Sequence, residues 1–83
     1  MNAAMSKKRA TADLIKAQMD IWIATAVDGN RDCAGCQAPR PIALSVPEDG
    51  CNWTVEYVKA PAQCQAIMHE IIARARREYD LAV

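Results

Sequence analysis

Residues 42–57 read Ile-Ala-Leu-Ser-Val-Pro-Glu-Asp-Gly-Cys-Asn-Trp-Thr-Val-Glu-Tyr, and this stretch decides the fold. Ile42, Leu44 and Val46 alternate with Ala43 and Ser45. Cys51, Trp53, Val55 and Tyr57 alternate with Asn52, Thr54 and Glu56. Alternation with a period of two marks strands that bury one face. Between the two runs, Pro47-Glu48-Asp49-Gly50 suits a type I turn with the glycine in the left-handed position. A four-residue turn predicts Val46 opposite Cys51, Leu44 opposite Trp53 and Ile42 opposite Val55, with all six side chains on one face.

Upstream of the hairpin, Thr11 followed by Asp13 reads as a helix N-cap and an acidic first turn. Leu14, Ile15, Met19, Trp22 and Ala26 then recur at helical spacing, with Ile21 and Ile23 widening the stripe on either flank. Asp28, Gly29 and Asn30 supply the chemistry that stops a helix near Val27. Downstream, Pro61 suits the first position of a second helix. Cys64, Ile67, Met68, Ile71, Ile72, Ala75 and Tyr79 line one side of it, with Glu70, Arg74 and Arg77 off the stripe.

The expected fold is therefore α+β in the order α-β-β-α: two amphipathic helices packed on one face of a two-stranded antiparallel hairpin. Residues 1–10 read as a flexible basic N-terminal segment and residues 11–83 as a single small domain. Sixteen of the 83 residues are alanine, phenylalanine is absent, and only two Trp and two Tyr are present. Alanine buries little area, so the apolar stabilisation is thin. Chains this short often add a metal, a disulfide or a partner subunit. Here a homodimer or a bound zinc is expected, since four cysteines in a reducing compartment suggest free thiols or metal ligands before structural disulfides. Both strands of a lone hairpin are also open edges, which pairing across a homodimer would cover.

Cys33 and Cys36 are separated by two residues, and Cys51 and Cys64 follow. The hairpin turns this list into geometry. Cys36 precedes the first strand and the helix bearing Cys64 starts just after the second, so Cys33, Cys36 and Cys64 lie at one end of the hairpin. Cys51 follows the turn, about six residues along the ladder, or roughly 20 Å away at ~3.4 Å per residue. Thiolates separated by two residues can bind one tetrahedral zinc ion from a tight turn. The order of knuckle, hairpin and helix over about residues 33–72 resembles a treble-clef zinc finger. That resemblance implies zinc held by Cys33, Cys36 and Cys64, with Asp32, water or a partner chain as fourth ligand. Cys51, on the apolar face of its strand, reads as a core residue. Redox chemistry at the Cys33–Cys36 pair lacks the usual helix N-terminus, because Gln37-Ala38-Pro39-Arg40-Pro41 follows it.

Catalytic constellations have no obvious seed: His69 is the only histidine, and no phosphate-cradling glycine loop or nucleophile elbow is present. Ten basic residues balance ten acidic ones, whereas binding to a phosphate backbone favours a net basic surface. The chain has no run of apolar residues long enough to span a membrane and no secretory signal, so a cytoplasmic protein is expected. The leading expectation is a small non-catalytic interaction or structural protein, homodimeric and with a zinc-stabilised knuckle. The alternative is a small nucleic-acid-binding protein that uses Lys7, Lys8 and Arg9 at one end and Arg74, Arg76 and Arg77 at the other.

Overall fold

The computed structural model describes residues 7–56 and 58–82; the assignment of Tyr57 to the apolar strand face, and residues 1–6 of the N-terminal segment, fall outside them. The elements run β1 (Lys8–Ala10), α1 (Ala12–Ala26), β2 (Ile42–Glu48), β3 (Cys51–Thr54), α2 (Gln65–Glu78) and β4 (Tyr79–Leu81), with short 3-10 turns at Arg31–Cys33 and Ala62–Cys64. The α+β fold class is as the sequence indicates: two helices and an antiparallel β2–β3 hairpin packed against α2. A second, parallel sheet is made by β1 and β4.

Local chemistry explains the helix ends. The Thr11 hydroxyl accepts a hydrogen bond from the Leu14 amide at 3.2 Å, satisfying one of the amides that the first turn of α1 leaves free. At the other end the Val27 amide still bonds to the Ile23 carbonyl, and Gly29 at φ +81° takes the chain out of the helix. Asn30 then caps the following 3-10 turn, its side chain accepting from the Asp32 amide at 3.0 Å. The second helix begins after Pro61, whose carbonyl accepts from the Cys64 amide at 2.8 Å.

The hairpin differs from the sequence expectation by its turn. Asp49 and Gly50 both have positive φ, +51° and +75°, which makes a two-residue type I′ turn between Glu48 and Cys51. A two-residue loop of this hand matches the right-handed twist of the flanking strands. The observed pairs are Glu48 with Cys51, Ala43 with Trp53 and Ile42 with Thr54, with an irregularity in β2 between Ala43 and Glu48. Relative to the expected register this is a slip of one residue at the open end, and such a slip sends side chains to the other face. Cys51 and Trp53 remain buried against the helices, while Ile42 and Val46 stand exposed, Val46 by 74%.

The core gathers Ile15, Met19 and Ile23 from α1, Met68, Ile71, Ile72 and Ala75 from α2, and Cys51 and Trp53 from β3. Leu14 and Ile21, expected on the buried stripe of α1, are instead 62% and 60% exposed.

Lys8–Ala10, read from sequence as part of a flexible segment, pair in parallel with Tyr79–Leu81, with Lys8 beside Tyr79 and Ala10 beside Leu81. Ala10 and Leu81 are buried in the core. This small sheet is tied to the hairpin by side chains that substitute for a backbone ladder. The Asn52 carboxamide accepts from the Leu81 amide at 2.8 Å and donates to the Leu81 carbonyl at 2.9 Å. The Trp53 indole N–H donates to the Tyr79 carbonyl at 2.9 Å. Lys7 reaches back to the Gly50 carbonyl and to the Asp80 carboxylate. One edge of β3 is thereby occupied, which answers the edge problem without a second chain at that point.

Candidate functional site

Three places in the fold carry side chains with chemistry to offer: the cysteine corner, the outer face of α1 and the basic segments.

The corner forms where the two 3-10 turns meet. Cys33 ends one turn and Cys64 ends the other, and they are joined by a disulfide with their Cα atoms 5.8 Å apart. Both residues are fully buried. The sequence expectation that the hairpin brings Cys33 and Cys64 together is met by the geometry. Their chemical state differs from the zinc expectation, since a disulfide sulfur is not the thiolate that zinc binds. Among the described residues, no group of three or more His, Cys, Asp or Glu side chains is placed to hold a metal ion. His69 lies on the exposed side of α2.

Cys36 is a free, half-buried thiol that follows Cys33 across a tight turn. Ala34 at φ −61° and ψ +136° and Gly35 at φ +85° give the turn type II geometry, closed by the Cys36 amide bonding to the Cys33 carbonyl at 3.2 Å. Only glycine adopts the third position of such a turn without strain, so Gly35 sets the spacing of the pair. Beyond the turn, the loop is held against α1. Asp20 accepts from the buried Ala38 amide at 2.7 Å while its other oxygen binds Lys16 at 2.8 Å. Arg40 pairs with Asp13. Cys36 opens onto a surface cleft of 1020 Å3 that also takes in Arg40, Lys59, Asp32 and Glu56. Cys51, the other free thiol, is buried at the start of β3, consistent with a core role.

On the outer face of α1, Leu14, Ala17, Ile21 and Ala24 succeed one another at intervals of three, four and three residues and are all exposed. At 3.6 residues per turn they form one stripe, on the side opposite Ile15, Met19 and Ile23. Gln18 and Thr25 flank it, so this face carries no formal charge. The carboxylates at its margin are already engaged, Asp13 by Arg40 and Asp20 by Lys16. The signal was present in the sequence as a helix apolar on more than half its circumference.

The basic segments end up as neighbours, because the β1–β4 pairing lays Lys8 and Arg9 beside Tyr79 and Asp80, directly after Arg76 and Arg77. Several of these cations are spent within the molecule. Lys7 pairs with Asp80. Arg74 pairs with Glu78 and lies 4.0 Å above the Trp22 ring, a cation–π contact. Arg76 donates to the Trp53 carbonyl at 3.0 Å and lies 3.9 Å from the Glu48 carboxylate. Lys8, Arg9 and Arg77 are exposed. No helix among the described residues is long and apolar enough to cross a membrane.

The chain matches no protein-family model, no curated protein and no solved structure.

Proposed function

We propose that this chain is a small non-catalytic interaction protein that acts as a homodimer joined through the outer face of α1. The observation that carries this reading is the uncharged, exposed stripe of Leu14, Ala17, Ile21 and Ala24. Its order of large, small, large, small is self-complementary. When a second α1 is laid antiparallel about a two-fold axis that passes between Ala17 and Ile21, Leu14 falls on the partner's Ala24 and Ile21 on the partner's Ala17. Large side chains over small ones let two helices approach closely, and an isologous contact of this kind closes on itself. Because Asp13 and Asp20 are already paired, the approach brings no unpartnered carboxylates together.

In sedimentation equilibrium the wild-type chain is expected at twice its 9.1 kDa protomer mass. Ile21→Glu places a charge in the contact of both copies and is expected to weaken association by at least about 100-fold while leaving the helical circular dichroism intact. A wild-type chain that stays monomeric at high concentration overturns the proposal. So does an Ile21→Glu variant that dimerises like the wild type.

A second reading, nucleic-acid binding, is favoured by one observation: the parallel strands bring the N-terminal cations to the end of α2. On that reading the chain is retained on heparin at low salt, and Lys8→Glu with Arg77→Glu abolishes retention. Passage of the wild type through the column at low salt rejects it.

A further inference from the structure

We infer that Cys36, Cys33 and Cys64 form a thiol–disulfide exchange site, in which Cys36 is the entry point for a small-molecule thiol and Cys33 is the sulfur shared between two alternative partners. The inference is independent of the dimer reading.

The geometry that carries it is the position of Cys33. On one side it is bonded to Cys64 with the two Cα atoms 5.8 Å apart. On the other it begins the hydrogen-bonded turn that ends at Cys36. A β-turn holds its terminal Cα atoms within about 7 Å, and disulfides span Cα separations of roughly 4.4–6.8 Å, so the turn brings the backbones of Cys33 and Cys36 to a separation that a disulfide can span. Access points the same way. Cys33 and Cys64 are fully buried, so a reagent in solution cannot reach their sulfurs directly, whereas Cys36 is half-buried and borders the open cleft. The cleft offers both signs of charge, Arg40 and Lys59 with Asp32 and Glu56, which suits a zwitterionic thiol such as glutathione.

Exchange proceeds in three balanced steps. First, the Cys36 thiolate attacks the Cys33 sulfur. The Cys33–Cys64 bond breaks, a Cys33–Cys36 bond forms, and Cys64 takes up the proton that Cys36 gave up. Second, a glutathione thiolate attacks the Cys36 sulfur from the cleft, forming a mixed disulfide there and releasing Cys33 as a thiol. Third, another glutathione thiolate attacks the glutathione sulfur of that mixed disulfide, freeing Cys36 and leaving as oxidised glutathione. The sum is one protein disulfide reduced and two glutathione molecules oxidised, with no other reductant required. Run backwards, the same steps let a small disulfide close the buried Cys33–Cys64 bond in the folded chain.

The test follows reduction of the native full-length chain by glutathione, with timed alkylation and mass-spectrometric mapping of peptides digested without reductant. The starting map must contain the Cys33–Cys64 linkage; a map without it overturns the proposal. The wild type is expected to show glutathione on Cys36 during the reaction. In Cys36→Ser and Cys36→Ala, loss of the Cys33–Cys64 bond is expected to be at least about tenfold slower, because direct attack then waits on local opening of buried structure. A variant that merely loosened the fold would expose the disulfide and react faster, so a folding defect cannot imitate slowing. Reduction of both variants at the wild-type rate or faster overturns the proposal.

Discussion

Replacing Trp53 with alanine is expected to cost about 3–5 kcal/mol, the range for truncating a large buried aromatic, and to leave the chain at the margin of folding. Trp53 is 0% exposed and is the largest fully buried side chain in the molecule's core. Three elements depend on it at once. It anchors β3 against α2, its indole N–H holds the Tyr79 carbonyl of β4 at 2.9 Å, and its own carbonyl accepts from Arg76 of α2 at 3.0 Å. The truncation empties the first site and leaves the Tyr79 carbonyl with only the weak, long contact from the Cys51 thiol at 3.9 Å. The backbone bond to Arg76 survives only as long as β3 stays in place. Small domains hold roughly 5–15 kcal/mol in total, so a loss of this size consumes a large fraction of the reserve. Urea unfolding followed by far-ultraviolet circular dichroism measures it. Trp53→Phe separates the two contributions: it keeps much of the buried ring but removes the strong donor, leaving the part-buried Tyr79 carbonyl with the weak Cys51 thiol contact, and about 1 kcal/mol is expected for that loss. A loss below about 1 kcal/mol for the alanine variant would contradict the role assigned to this side chain, since burial of a side chain of this kind is worth more than that.

How much of this was legible in the sequence depended on how local the cause was. Thr11 as N-cap, the stop near Val27 and the buried stripe of Met68, Ile71, Ile72 and Ala75 follow from chemistry within one or two turns of chain, and all are present. The turn was harder. Pro47 and Glu48 favour a four-residue loop, whereas Asp49-Gly50 alone satisfies a type I′ turn, and the chain takes the shorter one. The shorter turn sets Glu48 rather than Val46 opposite Cys51, a shift of two residues, and the irregularity in β2 between Ala43 and Glu48 then sets Ala43 rather than Leu44 opposite Trp53; Ile42 and Val46 are left outside. On α1 the difficulty was excess: Leu14 and Ile21 are as apolar as Ile15 and Met19, and helical spacing alone cannot say which of two opposite faces meets the core. The β1–β4 sheet had no readable signal, because Lys8-Arg9-Ala10 and Tyr79-Asp80-Leu81 are three residues each and meet only through the tertiary fold. For the cysteines, the hairpin correctly placed Cys33 and Cys64 at one end. Spacing reports proximity, however, and not oxidation state, so the same three sulfurs read equally well as metal ligands.

Removal of the disulfide is expected to cost about 3–4 kcal/mol, from the entropy that a cross-link over this separation withdraws from the unfolded chain. Cys33 and Cys64 are 31 residues apart, and the enclosed segment contains the whole hairpin. The bond therefore closes the segment that runs out from α1 through the hairpin and back, tying the end of the first 3-10 turn to the start of α2. Its importance is raised by the composition. With sixteen alanines and no phenylalanine, the core has little surplus burial to replace a lost constraint. The clean variant is Cys33→Ser with Cys64→Ser, because removing Cys64 alone leaves Cys33 free to pair with Cys36 across its turn. Urea unfolding free energies of the wild type with and without reductant should differ by this amount. The double variant should match the reduced wild type and be indifferent to reductant. Cys64→Ser alone should still respond to reductant in the peptide map, through a Cys33–Cys36 bond, but with a smaller change in stability than the wild type, since a loop of four residues withdraws less chain entropy and the turn already fixes much of it. If reductant lowers the wild-type unfolding free energy by less than about 1 kcal/mol, the cross-link is not what secures the knuckle to α2, because closing a loop over this separation is worth several times that.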